Sequence, residues 1–285
     1  HHMLVEPGFS SEWKIFNTSY AMYLAVLGSM IHGMTVPGSI EAAQRARGFN
    51  KGMFEWLRKA PWGNPAFAGM FMSLVFFGFI GGISGVVMGT EQINMIMHNT
   101  LYVPGHFHGT VVAGTTLAFM AITYYLVPLI FRRELMMKKL AQIQPYVFGI
   151  GVAGISVFMM GAGTLGVSRR HWDMQFADAI LPFDYPSAAF LMMGLNGMFA
   201  VLAALGGILF VVVIVSSVFF GRKLAPDEKP SYPEVPPQAA VVSQHGSAEH
   251  LRIPGTAMLV AIFFIAFVLY YFVNWKYLSE VWPLS

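Results

Sequence analysis

The sequence contains no cysteine and little charge: Asp, Glu, Lys and Arg make up 11% of its 285 residues. Without thiols there can be no disulfide, no iron-sulfur cluster and no thiolate metal site, so any metal must be held by histidine, carboxylate or a prosthetic group. A soluble domain carries about 25% charged residues, and a chain with 56% hydrophobic residues and so few charges is not one. Strands of alternating apolar and polar residues are missing too, which excludes a transmembrane β-barrel. Basic residues interleaved with aromatics are missing as well, so no nucleic-acid partner is expected.

Long apolar runs are abundant instead. A hydrocarbon layer about 30 Å thick takes roughly 20 residues of helix to cross, and runs of that length lie at 14–38, 64–89, 102–131, 144–168, 188–220 and 254–274. The expected fold class is therefore all-α, a polytopic transmembrane helix bundle of about six helices. The expected division is a membrane core over 1–220, a Pro-rich linker over 221–253 with no packed element, and a last helical region over 254–285. Loops 39–63, 132–143 and 221–253 hold five, four and four Lys or Arg residues, and the opposite side holds only Lys14, Arg169, Arg170 and Lys276. The positive-inside rule puts the three basic loops on the cytoplasmic side, or its organellar equivalent. The net charge of +3 is thus a mark of topology.

Intramembrane ionisable groups are costly and tend to be functional. The segment VPGHFHG, from Val103 to Gly109, places His106 and His108 two residues apart near the outer end of the third span. At about 100° per residue their imidazoles diverge by about 200°, so one metal cannot take both. Each can instead give an axial nitrogen to a separate planar cofactor, two hemes flanking one helix, with Gly105 and Gly109 expected to let a large ring approach the backbone. The same spacing also suits two hydrogen-bonded histidines facing a polar cavity. His1 and His2, followed by Met3, read by themselves equally well as the remnant of an expression tag.

Wider segments break the tie. HNTLYVPGHFHGTVVAG at 98–114 resembles the His-Phe-His helix of heme-copper oxygen reductase catalytic subunits (subunit I). HHMLVEPGFSSEWK at 1–14 resembles the segment of that family that opens with two copper-ligand histidines. WLRKAPWGNPAFAG at 56–69 and the pair Arg169 and Arg170 are similar to the B-family branch, C-terminal half. This resemblance implies that His106 ligates the high-spin heme and His108 the low-spin heme. It implies further that His1 and His2 bind copper, and that Arg169, Arg170 and His98 sit at the heme propionates. Ordinary interfacial anchoring would equally explain the arginines, and a capped loop histidine would explain His98.

By the same resemblance the function is a terminal respiratory oxidase, reducing oxygen to water with coupled proton translocation, in a bacterial or archaeal plasma membrane. Its expected partners are membrane lipid, an oxidase subunit II with an electron-entry site, and cytochrome c or quinol as donor. Asn99 stands where many relatives have a magnesium-binding Asp, so no magnesium is expected, and Asn94 replaces a titratable carboxylate of some B-family chains. The remaining copper ligand and the second axial ligand of the low-spin heme would have to come from the N-terminal half of the same subunit. Nitric oxide reductases of the same superfamily, a non-catalytic diheme electron-transfer module and a heme-free transporter are the alternatives. Ser19, Tyr20, Tyr23, Ser29, His32 and Thr35 on the first span read mainly as ordinary helix hydrogen-bonding groups, and no proton path is assigned to them.

Overall fold

The computed structural model describes residues 8–17, 22–170, 184–233 and 252–281. His1 and His2, the expected copper ligands, lie outside the described residues, as do Ser19 and Tyr20. The described residues form helices α1 (Ser11–Phe16), α2 (Met22–Ala46), α3 (Glu55–Arg58), α4 (Pro65–Gly89), α5 (Glu91–Met97) and α6 (Tyr102–Phe131), followed by α7 (Lys138–Thr164), α8 (Ser187–Phe220) and α9 (Pro254–Val281). Among them no strand forms, only isolated bridges from Thr100 to Ser168 and from Arg133 to Lys223.

Among the described residues five helices, α4, α6, α7, α8 and α9, are long and apolar enough to cross a membrane. The first expected span, 14–38, falls on α1 and α2. Helix α2 has 25 residues but is interrupted by Ser29, His32, Thr35, Pro37 and Ser39, and it does not reach the hydropathy of the other five. Thr35 and Ser39 donate their hydroxyls back to the carbonyls of Ile31 and Thr35, so these polar groups are satisfied within their own helix.

Helix α7 is the centre of the bundle: 56% of its apolar window is buried, against 17% for α8 and 6% for α9. Small residues bring it close to its neighbours. A Cβ on Gly151 would lie 2.5 Å from the Ala203 nitrogen and one on Gly206 would lie 2.5 Å from the Phe148 nitrogen, so α7 and α8 meet backbone to backbone. Tyr124 of α6 donates its hydroxyl to Gln144 of α7, 3.1 Å away, and Gln144 donates its amide to the Gly206 carbonyl at 3.2 Å. One fully buried glutamine thus ties three helices in an apolar surrounding.

The basic loops gather at one end, as the charge count predicts. Tyr146 donates to the Trp62 carbonyl at 2.7 Å, and Asn64 donates to the Pro233 carbonyl at 3.1 Å. Residues 221–233, expected to be unpacked linker, are instead strapped onto the turn after α6. Glu134 N–H donates to the Arg222 carbonyl, Leu224 N–H to the Arg132 carbonyl, and Arg222 pairs with Glu134 at 3.1 Å and with Glu228. The prolines exclude a helix there, yet nothing prevents an extended segment from pairing its remaining donors with a neighbouring turn.

Candidate metal centre

Helix α6 changes its winding just where the two histidines lie. Tyr102–Phe107 is α-helical and His108–Thr116 is π-helical, and a second π-helical turn, Phe77–Gly82, lies in α4 beside it. Such widened turns occur mostly at functional sites. Here they interlock: a Cβ on Gly81 would lie 2.6 Å from Thr110 Cγ2.

His108 Nδ1 lies 2.7 Å from the Pro104 carbonyl, which can only accept. The proton is therefore on Nδ1, and the lone pair of the ring is on Nε2, the tautomer a metal ligand needs. His106 Nδ1 lies 2.9 Å from Ser84 Oγ. Ser84 directs its single hydroxyl proton at the Ile80 carbonyl, with the Gly81 carbonyl 3.0 Å away, so its oxygen is left to accept. His106 Nδ1–H donates, and its lone pair too is on Nε2.

The surroundings of the two histidines differ. His106 and Thr110 line a cavity of about 560 Å³ between α2, α4, α6 and α9, walled largely by apolar side chains and by Gly81, Gly82 and Gly85. A cavity of about 370 Å³ on another face of α6 is lined by Leu101, Pro104, Phe107, Met159, Arg169 and Arg170. His108 is not in that lining, because its ring is turned onto Pro104, which is. The expectation for Gly105 and Gly109 is corrected. A Cβ on Gly105 would meet Met160 at 2.7 Å, and one on Gly109 would meet Ile80 and Ser156 at 2.9 Å. These glycines admit neighbouring helices, not a cofactor ring, and Ser156 donates to the Gly105 carbonyl at 2.6 Å.

The arginines and the His98 loop meet at the outer end. Arg169 N–H donates to the Asn99 carbonyl and Leu101 N–H to the Val167 carbonyl, each at 2.8 Å, so the loop after α5 is paired with the loop after α7. Asn99 and Arg170 take positive φ, 58° and 68°, to make these tight reversals. Both arginines therefore lie on the Pro104 side of α6, whereas His98 lines neither cavity. Among the described residues no three His, Asp or Glu side chains cluster to hold a metal ion.

Two polar residues escaped the reading of the sequence. Ser84 lies 22 residues before His106 in an apolar run, with no motif around it. Glu41, fully buried, accepts the N–H groups of Gly255 at 3.0 Å and Thr256 at 2.6 Å and pairs with Arg45 at 2.8 Å. It caps the start of α9 from α2. Burial works to raise its pKa, but hydrogen bonds from Thr256, Arg45 and Gly255 outweigh that and hold it below the ordinary carboxylate value. The only hint in the sequence was an acidic residue at the edge of a basic loop.

The chain resembles known proteins along most of its length. A family model described as cytochrome c and quinol oxidase polypeptide I matches residues 1–209. Cytochrome c oxidase subunit 1 of Thermus thermophilus is 34% identical over 249 residues, which is 85% of this chain and 41% of that protein. The polypeptide 1 of Halobacterium salinarum cytochrome c oxidase is 34% identical over 102 residues, 35% of this chain and 17% of that one. A solved structure described as a heme-copper terminal oxidase dimer superposes with a TM-score of 0.70 at 25% identity, covering 97% of this chain and 46% of its own. The chain thus spans less than half the length of these relatives. With a His-Phe-His helix set in a membrane bundle of the same fold, it belongs to the cytochrome c and quinol oxidase polypeptide I family.

Proposed function

We propose that this chain forms the heme-bearing part of a terminal oxidase that reduces oxygen to water, with His106 as axial ligand of a high-spin heme and His108 of a low-spin heme. The observation that carries the reading is the pair of imidazoles two residues apart, each with its proton held on Nδ1 by a different partner and so its lone pair on Nε2. The residues suit the groups: neutral imidazole is a ligand for both iron and copper, and the cavity beside His106 is apolar and roomy. His1 and His2 are proposed as copper ligands. When bound, the hemes and copper supply electron storage and the reduction of oxygen.

The chain's own residues hold, orient and exclude. Pro104 and Ser84 fix the two ring tautomers, the phenylalanines Phe263 and Phe267 of α9 keep the His106 cavity apolar, and Arg169 and Arg170 offer guanidinium forks to the carboxylates of a heme. Ser29 is the polar α2 side chain in the lining of the His106 cavity. A bis-His heme and a three-His copper need ligands beyond these four histidines. The complete enzyme is therefore proposed to include the N-terminal half of the subunit, subunit II, and cytochrome c or quinol as donor, in a bacterial or archaeal plasma membrane. The B-family branch is proposed from the 56–69 loop.

The test is an optical spectrum of the purified complex, reduced with and without carbon monoxide. The unaltered protein is expected to show one carbon monoxide-reactive and one unreactive heme, and His106→Ala to lose the reactive one. Two unreactive hemes would instead mark an electron-transfer module. Iron in place of copper on metal analysis would mark a nitric oxide reductase.

A further inference from the structure

We infer that Ser84 is a positioning residue that sets the donor strength of the His106 imidazole; this rests on the reading that His106 is an axial heme ligand. Ser84 is 1% exposed and its hydroxyl is already satisfied by the Ile80 and Gly81 carbonyls at the end of the π-helical turn of α4. Its oxygen nevertheless faces His106 Nδ1 at 2.9 Å, a contact its own hydrogen bonding does not require. The adjacent Gly85 completes the seat, since a Cβ there would lie 2.9 Å from His106 Cε1. The ring rests against a glycine and is held by a serine, both on α4.

The chemistry of the acceptor then matters. Partners of the second imidazole nitrogen fix a ligating histidine's orientation and raise its basicity. A hydroxyl oxygen that is itself donating to a carbonyl accepts better than an isolated hydroxyl, and less strongly than a carboxylate. Ser84 thus places His106 at an intermediate strength: firmer than an unsupported imidazole, weaker than one partnered by Asp or Glu. A weaker axial donor leaves the iron easier to reduce.

The experiment uses the assembled oxidase complex with Ser84→Ala, Ser84→Thr and Ser84→Asp, reading the iron-imidazole stretching frequency of the reduced high-spin heme and its midpoint potential. Alanine is expected to lower the frequency and raise the potential, threonine to keep both, and aspartate to shift both the opposite way from alanine. If the alanine variant fails to assemble, threonine at the unaltered values with aspartate shifted supports the inference. Unmoved values in both alanine and aspartate variants overturn it. His106→Ala is the control: if it keeps the high-spin heme and its stretching band, the assignment of His106 falls and the inference with it.

Discussion

At the scale of single residues, His106 and His108 are distinguished by what each ring leans on, a serine of α4 in one case and a carbonyl of its own helix in the other. On the proposed assignment, replacing His108 by Leu is expected to abolish the low-spin heme spectrum while leaving carbon monoxide binding, assigned to the His106 side, in place. Glu41 makes a different kind of contribution. Helix α9 begins with Pro254, which has no N–H, and Gly255 and Thr256 supply the next donors. Glu41→Gln puts an amide where two N–H groups need acceptors and removes the charge that Arg45 faces. A loss of about 1–3 kcal/mol follows from leaving a buried donor unmet. Trp56, buried against Gly255, reports it: its fluorescence is expected to shift to the red at a lower temperature in the variant.

At the scale of elements, the glycines decide which helices touch. Gly163 near the end of α7 is the tightest of these sites, since a Cβ there would lie 1.9 Å from the Tyr102 backbone nitrogen, which no side-chain rotation can relieve. Tyr102 stands one turn before His106. Gly163→Ala is expected to push the start of α6 outward, costing about 1–3 kcal/mol as overpacking does and broadening the heme bands. Gly207→Ala on α8, where nothing lies within 4 Å, is expected to leave melting temperature and spectrum unchanged. The helices were legible because long apolar runs mark them: 64–89, 102–131 and 188–220 match α4, α6 and α8 within one residue at each end. Helix α7 begins at Lys138, six residues ahead of the expected 144, because a polar first turn can wind outside the apolar layer; the helix then runs on through Pro145, which lies inside it. The two π-helical turns left no trace in composition; they arise where α4 and α6 interlock.

At the scale of the whole molecule, charge sorts the loops to one end and ion pairs then fasten them. Arg222 hydrogen-bonds Glu228 and holds its pKa down from the ordinary 4.5 to about 2, and Glu134, bonded to the same guanidinium, is lowered too. Groups with depressed folded-state values lend stability above the ordinary carboxylate range and lose it as pH falls. The 221–233 strap is thus expected to become cleavable by an acid-active protease as pH drops from about 4.5 towards about 2, and Glu228→Gln to be cleavable already at the upper end of that window. Because the pair is exposed, added salt should act in the same direction.

Composition and periodicity alone determined that this is a membrane bundle, that the basic loops share one end and where two divergent imidazoles lie, since each is a property of neighbouring residues on one helix or of a loop's own charge. What Gly105 and Gly109 are for, which group holds the His106 ring proton, that the 221–233 segment is fastened, and that Glu41 starts a helix more than 200 residues away were decided by tertiary structure. Those facts concern partners distant in sequence, and no local pattern encodes which backbone atom will stand opposite a given side chain once the helices have packed.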